Sequence, residues 1–181
     1  GIKFLNIFHI HLRGDMGTDE LDYLAGKYNI QAFNIHSEND KYPHPVYIKK
    51  YADITYVENT TVIPSEKELK KYAGLCIDFS HWENYRLQSN KNYLKNIEKL
   101  LPYYKIGCCH ISAIVAKAHD NEDMTCQGVK ERSTHLLKNL SEIDYIKRYI
   151  NYLPEIISIE LENSFKEQLE VKKYLEKLIN F

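Results

Sequence analysis

The sequence predicts an α/β fold built on a parallel sheet, and three observations carry that expectation. Strand-like and helix-like segments alternate six times along the 181 residues, which is the βαβ logic of a parallel sheet covered by helices. Gly74, Pro102 and Pro154 punctuate the units. Four apolar runs end on a side chain able to bind a metal, at Glu58, Asp78, His110 and Glu160. In a (β/α) barrel the C-terminal ends of the strands converge on one face, where active sites sit. Three carboxylates and an imidazole converging there make a divalent-metal site of mixed nitrogen and oxygen character.

Leu5–His11 is apolar and histidine-bearing and reads as the first strand, followed by a short helix over Thr18–Tyr28. Ile30–His36 is the second strand. An irregular stretch with Pro43 and Pro45 leads to a brief helical segment, Val46–Tyr51, and then to the third strand, Ile54–Asn59. Ser65 is placed to cap a helix over Glu66–Tyr72, with Glu68 as its capping-box partner. Gly74 closes that helix and Leu75–Phe79 is the fourth strand. In Asn90–Leu101, residues Tyr93, Leu94, Ile97, Leu100 and Leu101 form the stripe of a surface helix, which Pro102 ends. Ile106–Ile111 is the fifth strand, and a polar excursion runs from about Ala116 to Asn139. Ser141 caps Glu142–Tyr152, with Asp144 in its first turn, and Pro154 stops it. Ile156–Leu161 is the sixth strand, and a final helix starts near Ser164 and runs to about Asn180.

The whole chain, 1–181, reads as one domain large enough for a sizeable core. Lys+Arg at 24 against Asp+Glu at 25 leaves a formal charge of -1, which argues against bulk attraction to nucleic acid. There is no apolar run of membrane-spanning length and no leader with a cleavage site. Cys76, Cys108, Cys109 and Cys126 lack zinc-ribbon or redox spacing, so reduced, buried thiols in a cytoplasmic protein are expected. No glycine-rich phosphate loop or serine elbow is present.

Six units do not make an eight-strand barrel. The chain reads either as an open sheet or as the last six units of a TIM-type barrel whose first two are missing. The second case leaves exposed barrel strands, which a homodimer or a second chain would have to cover.

The segments Tyr56–Val57–Glu58–Asn59, Cys76–Ile77–Asp78–Phe79–Ser80–His81, Cys108–Cys109–His110–Ile111–Ser112 and Ser158–Ile159–Glu160–Leu161–Glu162 carry a family likeness. The chain resembles the xylose isomerase-like TIM-barrel superfamily, which includes sugar phosphate isomerases and epimerases, inosose dehydratase-like proteins and endonuclease IV-like phosphodiesterases. On that resemblance these segments look like strands five to eight, and Phe8–His11 and Phe33–His36 look like strands three and four. The resemblance implies that Glu58, Asp78, His110 and Glu160 hold one manganese, cobalt, zinc or magnesium ion. It also implies that Glu58 and Glu160 exchange the proton of a small polyhydroxylated substrate. Enolisation needs those parts: a base, a group that returns the proton, and a cation that stabilises the enediolate.

Each residue also has a plainer reading. Glu58 would otherwise sit in a structural salt bridge, and His110 would be a core histidine bonded to a carbonyl. In the Asp-x-x-His spacing, His81 turns back over the pocket to orient a hydroxyl, or else caps a helix. Trp82 and Phe79 wall a sugar ring or belong to the core. Glu160 and Glu162 share a face by the period-two rule, with Glu160 favoured as ligand. His11 and His36 point into the same pocket, where His135 touches substrate or metal and Arg132 contacts an anion; otherwise Arg132 is a loop arginine.

An endonuclease IV-like zinc phosphodiesterase would need His11, His36 and His135 as ligands of a zinc cluster. Ser133 stands where that branch has an aspartate, and Ile35–His36–Ser37 where it has a His-Pro-Gly turn. A third reading is a truncated, non-catalytic barrel kept for binding or assembly. His119, Asp120, Glu122 and Asp123 read as a solvated loop face, and His44 as a loop residue.

Overall fold

The computed structural model describes residues 6–40, 44, 46–120 and 130–179. Six strands form one sheet: β1 (His9–His11), β2 (Ala32–His36), β3 (Thr55–Glu58), β4 (Gly74–Asp78), β5 (Ile106–Ile111) and β8 (Ile156–Ile159). They pair in the order β1-β2-β3-β4-β5-β8 and every pairing is parallel. The remaining two strands, β6 (Ala113–Asp120) and β7 (Lys130–Thr134), form a separate antiparallel pair. The connecting helices are α1 (Thr18–Lys27), α2 (Glu66–Leu69), α3 (Phe79–Leu87), α4 (Lys91–Leu100) and α5 (Phe165–Ile179), with 3₁₀ helices over Val46–Ile54 and Leu140–Tyr152.

The sheet curls until it is nearly closed. No backbone ladder joins β1 to β8 among the described residues, yet the inner side chains of the two edges meet. His9 Nδ1 lies 2.6 Å from Ser158 Oγ, and His11 Nδ1 is 3.9 Å from Glu160. Strand alternation sorts the two faces. Phe33, Ile35, Val57, Leu75, Ile77 and Ile111 point outward into the main core under the helices. Ala32, Tyr56, Cys76 and Cys108 point inward and form a small cluster of their own.

Several local expectations need correction. The fourth strand stops at Asp78, and Phe79 instead opens α3, because Asp78 caps it through bonds from the Ser80 and His81 backbone amides. The polar excursion holds the β6–β7 hairpin, which packs on α3. The 3₁₀ helix Leu140–Tyr152 is capped by Asn139 rather than Ser141, with Glu142 closing a capping box. Ser65 caps α2, but Glu68 does not turn back to complete a box. Its carboxylate instead accepts from Ser37 Oγ at 2.8 Å and the Glu38 amide at 2.6 Å. Leu5, Pro43, Pro45, Cys126 and Asn180 lie outside the described residues. No helix among the described residues is long and apolar enough to cross a membrane.

Two glycines are required by close approach. Gly74 has φ +148, and a Cβ there would lie 2.2 Å from the Lys105 carbonyl oxygen. A Cβ on Gly107 would lie 2.0 Å from the Tyr56 ring, which fills the floor of the barrel. Gly107→Ala is therefore expected to cost about 1–3 kcal/mol by overpacking, read from urea unfolding. Tyr56→Leu in the same chain is expected to recover part of that loss, and a Gly107→Ala protein as stable as its parent would contradict this packing.

Candidate metal centre

The inward positions at the C-terminal ends of the strands carry acids and histidines in place of apolar groups. Glu58 follows Tyr56 on β3, Asp78 follows Cys76 on β4, and His110 follows Cys108 on β5, each two residues along and so on the same inner face. Glu160 stands just past β8, two residues beyond Ser158. One ligand atom from each of Glu58, Asp78, His110 and Glu160 lies within 4.8 Å of the others, and the same holds for His11, Glu58 and His110.

His110 Nδ1 is the hub, 3.1 Å from Glu58 Oε1 and 3.2 Å from Glu160 Oε2. Glu58 is 2% exposed; its Oε2 accepts from Asn34 Nδ2 at 2.5 Å and lies 3.7 Å from His11 Nε2. Asp78 divides its carboxylate. Oδ1 accepts from the Ser80 and His81 amides and from Ser80 Oγ, while Oδ2 lies 3.8 Å from His81 Nε2. The Asp-x-x-His spacing has a structural cause here: the acid caps α3 and the histidine occupies the first turn it caps. Asn59 fastens this arrangement, accepting from the Asp78 amide at 2.9 Å and donating to the Asp78 carbonyl and Tyr93 Oη, each at 3.0 Å.

Burial sets the electrostatics. It would raise the Glu58 carboxyl, but His110, His11 and His36 outweigh it and hold this group far below the usual carboxylate range. Burial does raise Asp78, against the pull of His81. At His110 burial favours the neutral ring, but Glu58 and Glu160 prevail and push its pKa well above the ordinary histidine value. Glu160, raised by burial, is lowered overall by His110. His110 thus acts as the internal cation of a cluster otherwise made of acids.

A cavity of about 960 Å³ opens over this cluster. His11, His36, His81, His135, Glu58, Asp78, Glu160 and Glu162 line it. His36 and His11 have ring centroids 4.8 Å apart, and His135 Nε2 lies 3.8 Å from Glu160. Of the two terminal acids, Glu160 joins the cluster and Glu162 lies exposed in the lining. Trp82 goes elsewhere. It is 4% exposed and packs on Phe79 and Tyr149 in the core, so neither it nor Phe79 walls the cavity. Arg132 donates to the Ala116 carbonyl and is not part of the lining. His119 and Asp120, on the hairpin, do line it, while Glu122 and Asp123 fall outside the described residues. His44 is tied in by bonds with the His36 carbonyl at 2.7 Å and Tyr72 Oη at 2.8 Å, steadying the end of β2.

Asn34, Asn59 and Ser158 hold these groups and drew no role from the sequence alone. The available signal was a polar residue at an inward strand position, as with Asn34 between Phe33 and Ile35. The donor set fits a divalent ion: three carboxylates and one imidazole suit a hard or borderline cation. Compared with known proteins, the chain matches no family model, no curated protein and no solved structure.

A metal ion entering this cluster competes with the proton on His110. Because Glu58 and Glu160 raise the pKa of His110, the ring holds its proton more tightly than an ordinary histidine, and metal affinity is expected to rise with pH as that proton becomes easier to displace. Adding manganese to a weakly buffered sample should release acid near neutral pH. The release is expected to shrink in His110→Asn, and metal affinity that is flat across this range would contradict the assignment.

Proposed function

We propose that the chain is a six-unit form of a TIM-type (β/α) barrel and a divalent-metal-dependent isomerase or epimerase of a small, uncharged sugar. The observation that carries this reading is the pair of glutamates flanking one imidazole: Glu58 and Glu160 approach the same His110 nitrogen at 3.1 and 3.2 Å at the base of an open cavity. Glu58, Asp78, His110 and Glu160 would hold the ion, which when bound stabilises negative charge on the enolised substrate. Glu160, whose side chain is 31% exposed, faces the cavity and takes the carbon-bound proton. Glu58, fixed by Asn34 and sharing the His110 nitrogen with Glu160, accepts that proton from Glu160 and delivers it back to the substrate carbon. His81, beside Asp78 and in the lining, orients a substrate hydroxyl.

The lining also bears on substrate charge. Among the described residues, eight carboxylates (Asp40, Glu58, Asp78, Asp120, Glu131, Glu142, Glu160 and Glu162) face two lysines, Lys117 and Lys138. A phosphate group would meet a field of its own sign there, which favours an uncharged ketose or aldose over a sugar phosphate. One observation favours a second reading. His11, His36 and His135 all reach the cavity, as a zinc-cluster phosphodiesterase of the endonuclease IV-like type would require.

The test is manganese-loaded protein in deuterated water with a panel of ketoses and aldoses. Deuterium is expected at the carbon next to the carbonyl. Glu160→Gln and Glu58→Gln are each expected to slow that exchange by about 10²–10⁴-fold, the range for loss of an acid–base group. No exchange with any sugar, together with zinc-dependent cleavage of a model phosphodiester that requires His11, His36 and His135, would replace the isomerase with the phosphodiesterase.

A further inference from the structure

Beneath the carboxylate cluster the barrel interior gathers a second set of donors with different chemistry. A ring nitrogen of His9 on β1, Sγ of Cys76 on β4 and Sγ of Cys108 on β5 lie within 4.8 Å of one another. Cys76 and Cys108 are direct partners across the β4–β5 ladder, fully buried and not joined in a disulfide. Ser158 Oγ occupies His9 Nδ1 at 2.6 Å. That contact orients the ring, as an outer-shell partner does for a metal-bound histidine, and leaves Nε2 for another partner. Nε2 is buried and meets no oxygen or nitrogen partner; in the interior the His9 side chain bonds with the Cys108 thiol.

We infer that His9, Cys76 and Cys108 form a second metal site, selective for a thiophilic cation of the zinc or copper(I) kind. Two thiolates and an imidazole, with no carboxylate among them, select soft or borderline ions and discriminate against manganese and magnesium. Thiols serving only as small apolar filler would account for Cys76 and Cys108 beside Ala32 and Tyr56. They would not account for a buried imidazole brought against both thiols and bonded to one of them. The site also has a structural task. Among the described residues β1 has no ladder to β8, and an ion held by His9, Cys76 and Cys108 ties that edge strand to β4 and β5 through the interior.

Cobalt(II), added without oxygen to the reduced full chain, is the probe. Thiolate ligands give it an intense sulfur-to-metal charge-transfer absorption in the near ultraviolet that oxygen and nitrogen donors do not. The band is expected in the wild type and lost in Cys76→Ser and in Cys108→Ser. It is expected to persist in Cys109→Ser, Cys126→Ser and Glu58→Gln, and zinc is expected to displace it while raising the melting temperature. The wild-type spectrum needs no variant to fold, and the Glu58→Gln arm separates this site from the carboxylate cluster above it. A reduced wild type that binds cobalt without charge transfer would overturn the inference. So would a purified chain two hydrogens lighter with Cys76 and Cys108 joined.

Discussion

Closure of the sheet is the constraint on which the rest depends. With six strands and, among the described residues, no ladder between β1 and β8, the edges meet through their inner side chains. His9 and Ser158 make that contact directly, and His11 approaches Glu160 one level higher. The resulting interior is narrow. Its floor accepts Ala32, Cys76, Cys108 and a single large ring, Tyr56, which in turn demands glycine at position 107. Because side chains alternate along a strand, a one-residue slip of β3 or β5 would exchange Glu58 or His110 for an outward apolar neighbour. The deep outer core of Phe33, Val57, Leu75, Ile77 and Ile111 prevents that slip and so holds the register of the site.

The cost of burying Glu58 and Asp78 is met in two ways. Asp78 is paid for by geometry, since one of its oxygens replaces a cap that α3 needs in any case. Glu58 depends on charge, through His110 and the neighbouring histidines. A buried ion pair is seldom a net source of stability, whereas removing one partner leaves an uncompensated charge and is strongly destabilising. A proton on His110 and a cation among the carboxylates would each satisfy the same acids.

What could be read from the sequence follows from which interactions are local. Glu58, Asp78, His110 and Glu160 stood out because each terminates an apolar run, and strand periodicity alone sends them to one face. Asn139 was legible in the same way, since Asn139-x-x-Glu142 has capping-box spacing; Ser141, two residues on, offered the same chemistry and obscured it. α3 was not legible. Its buried residues include Glu83 and Asn84, so no amphipathic stripe marks it, and Glu83 is satisfied by Arg86 and by the distant Tyr149 and Arg148. Trp82 illustrates the consequence: adjacent helix residues point about 100° apart, so a helix that turns His81 to the cavity turns Trp82 to the core. The contact of β1 with β8 is wholly nonlocal and leaves no pattern in either strand.

β1 shows how the interior divides its work by depth. Its two histidines are separated by one outward residue, Ile10, and so share the inner face at successive levels. His11 meets Glu58 and His110 among oxygen donors, while His9 meets Cys76 and Cys108 among sulfur donors. Hard and soft ligands are thereby kept on separate floors of one barrel, with the tilted rings of His9 and His110 5.2 Å apart between them. Ions of different character would not compete for the same place. A hard ion exchanging at the mouth with substrate would leave undisturbed a softer one that pins the edge strand below. Such a division would let the mouth stay open to solvent while the interior keeps the curvature that builds it.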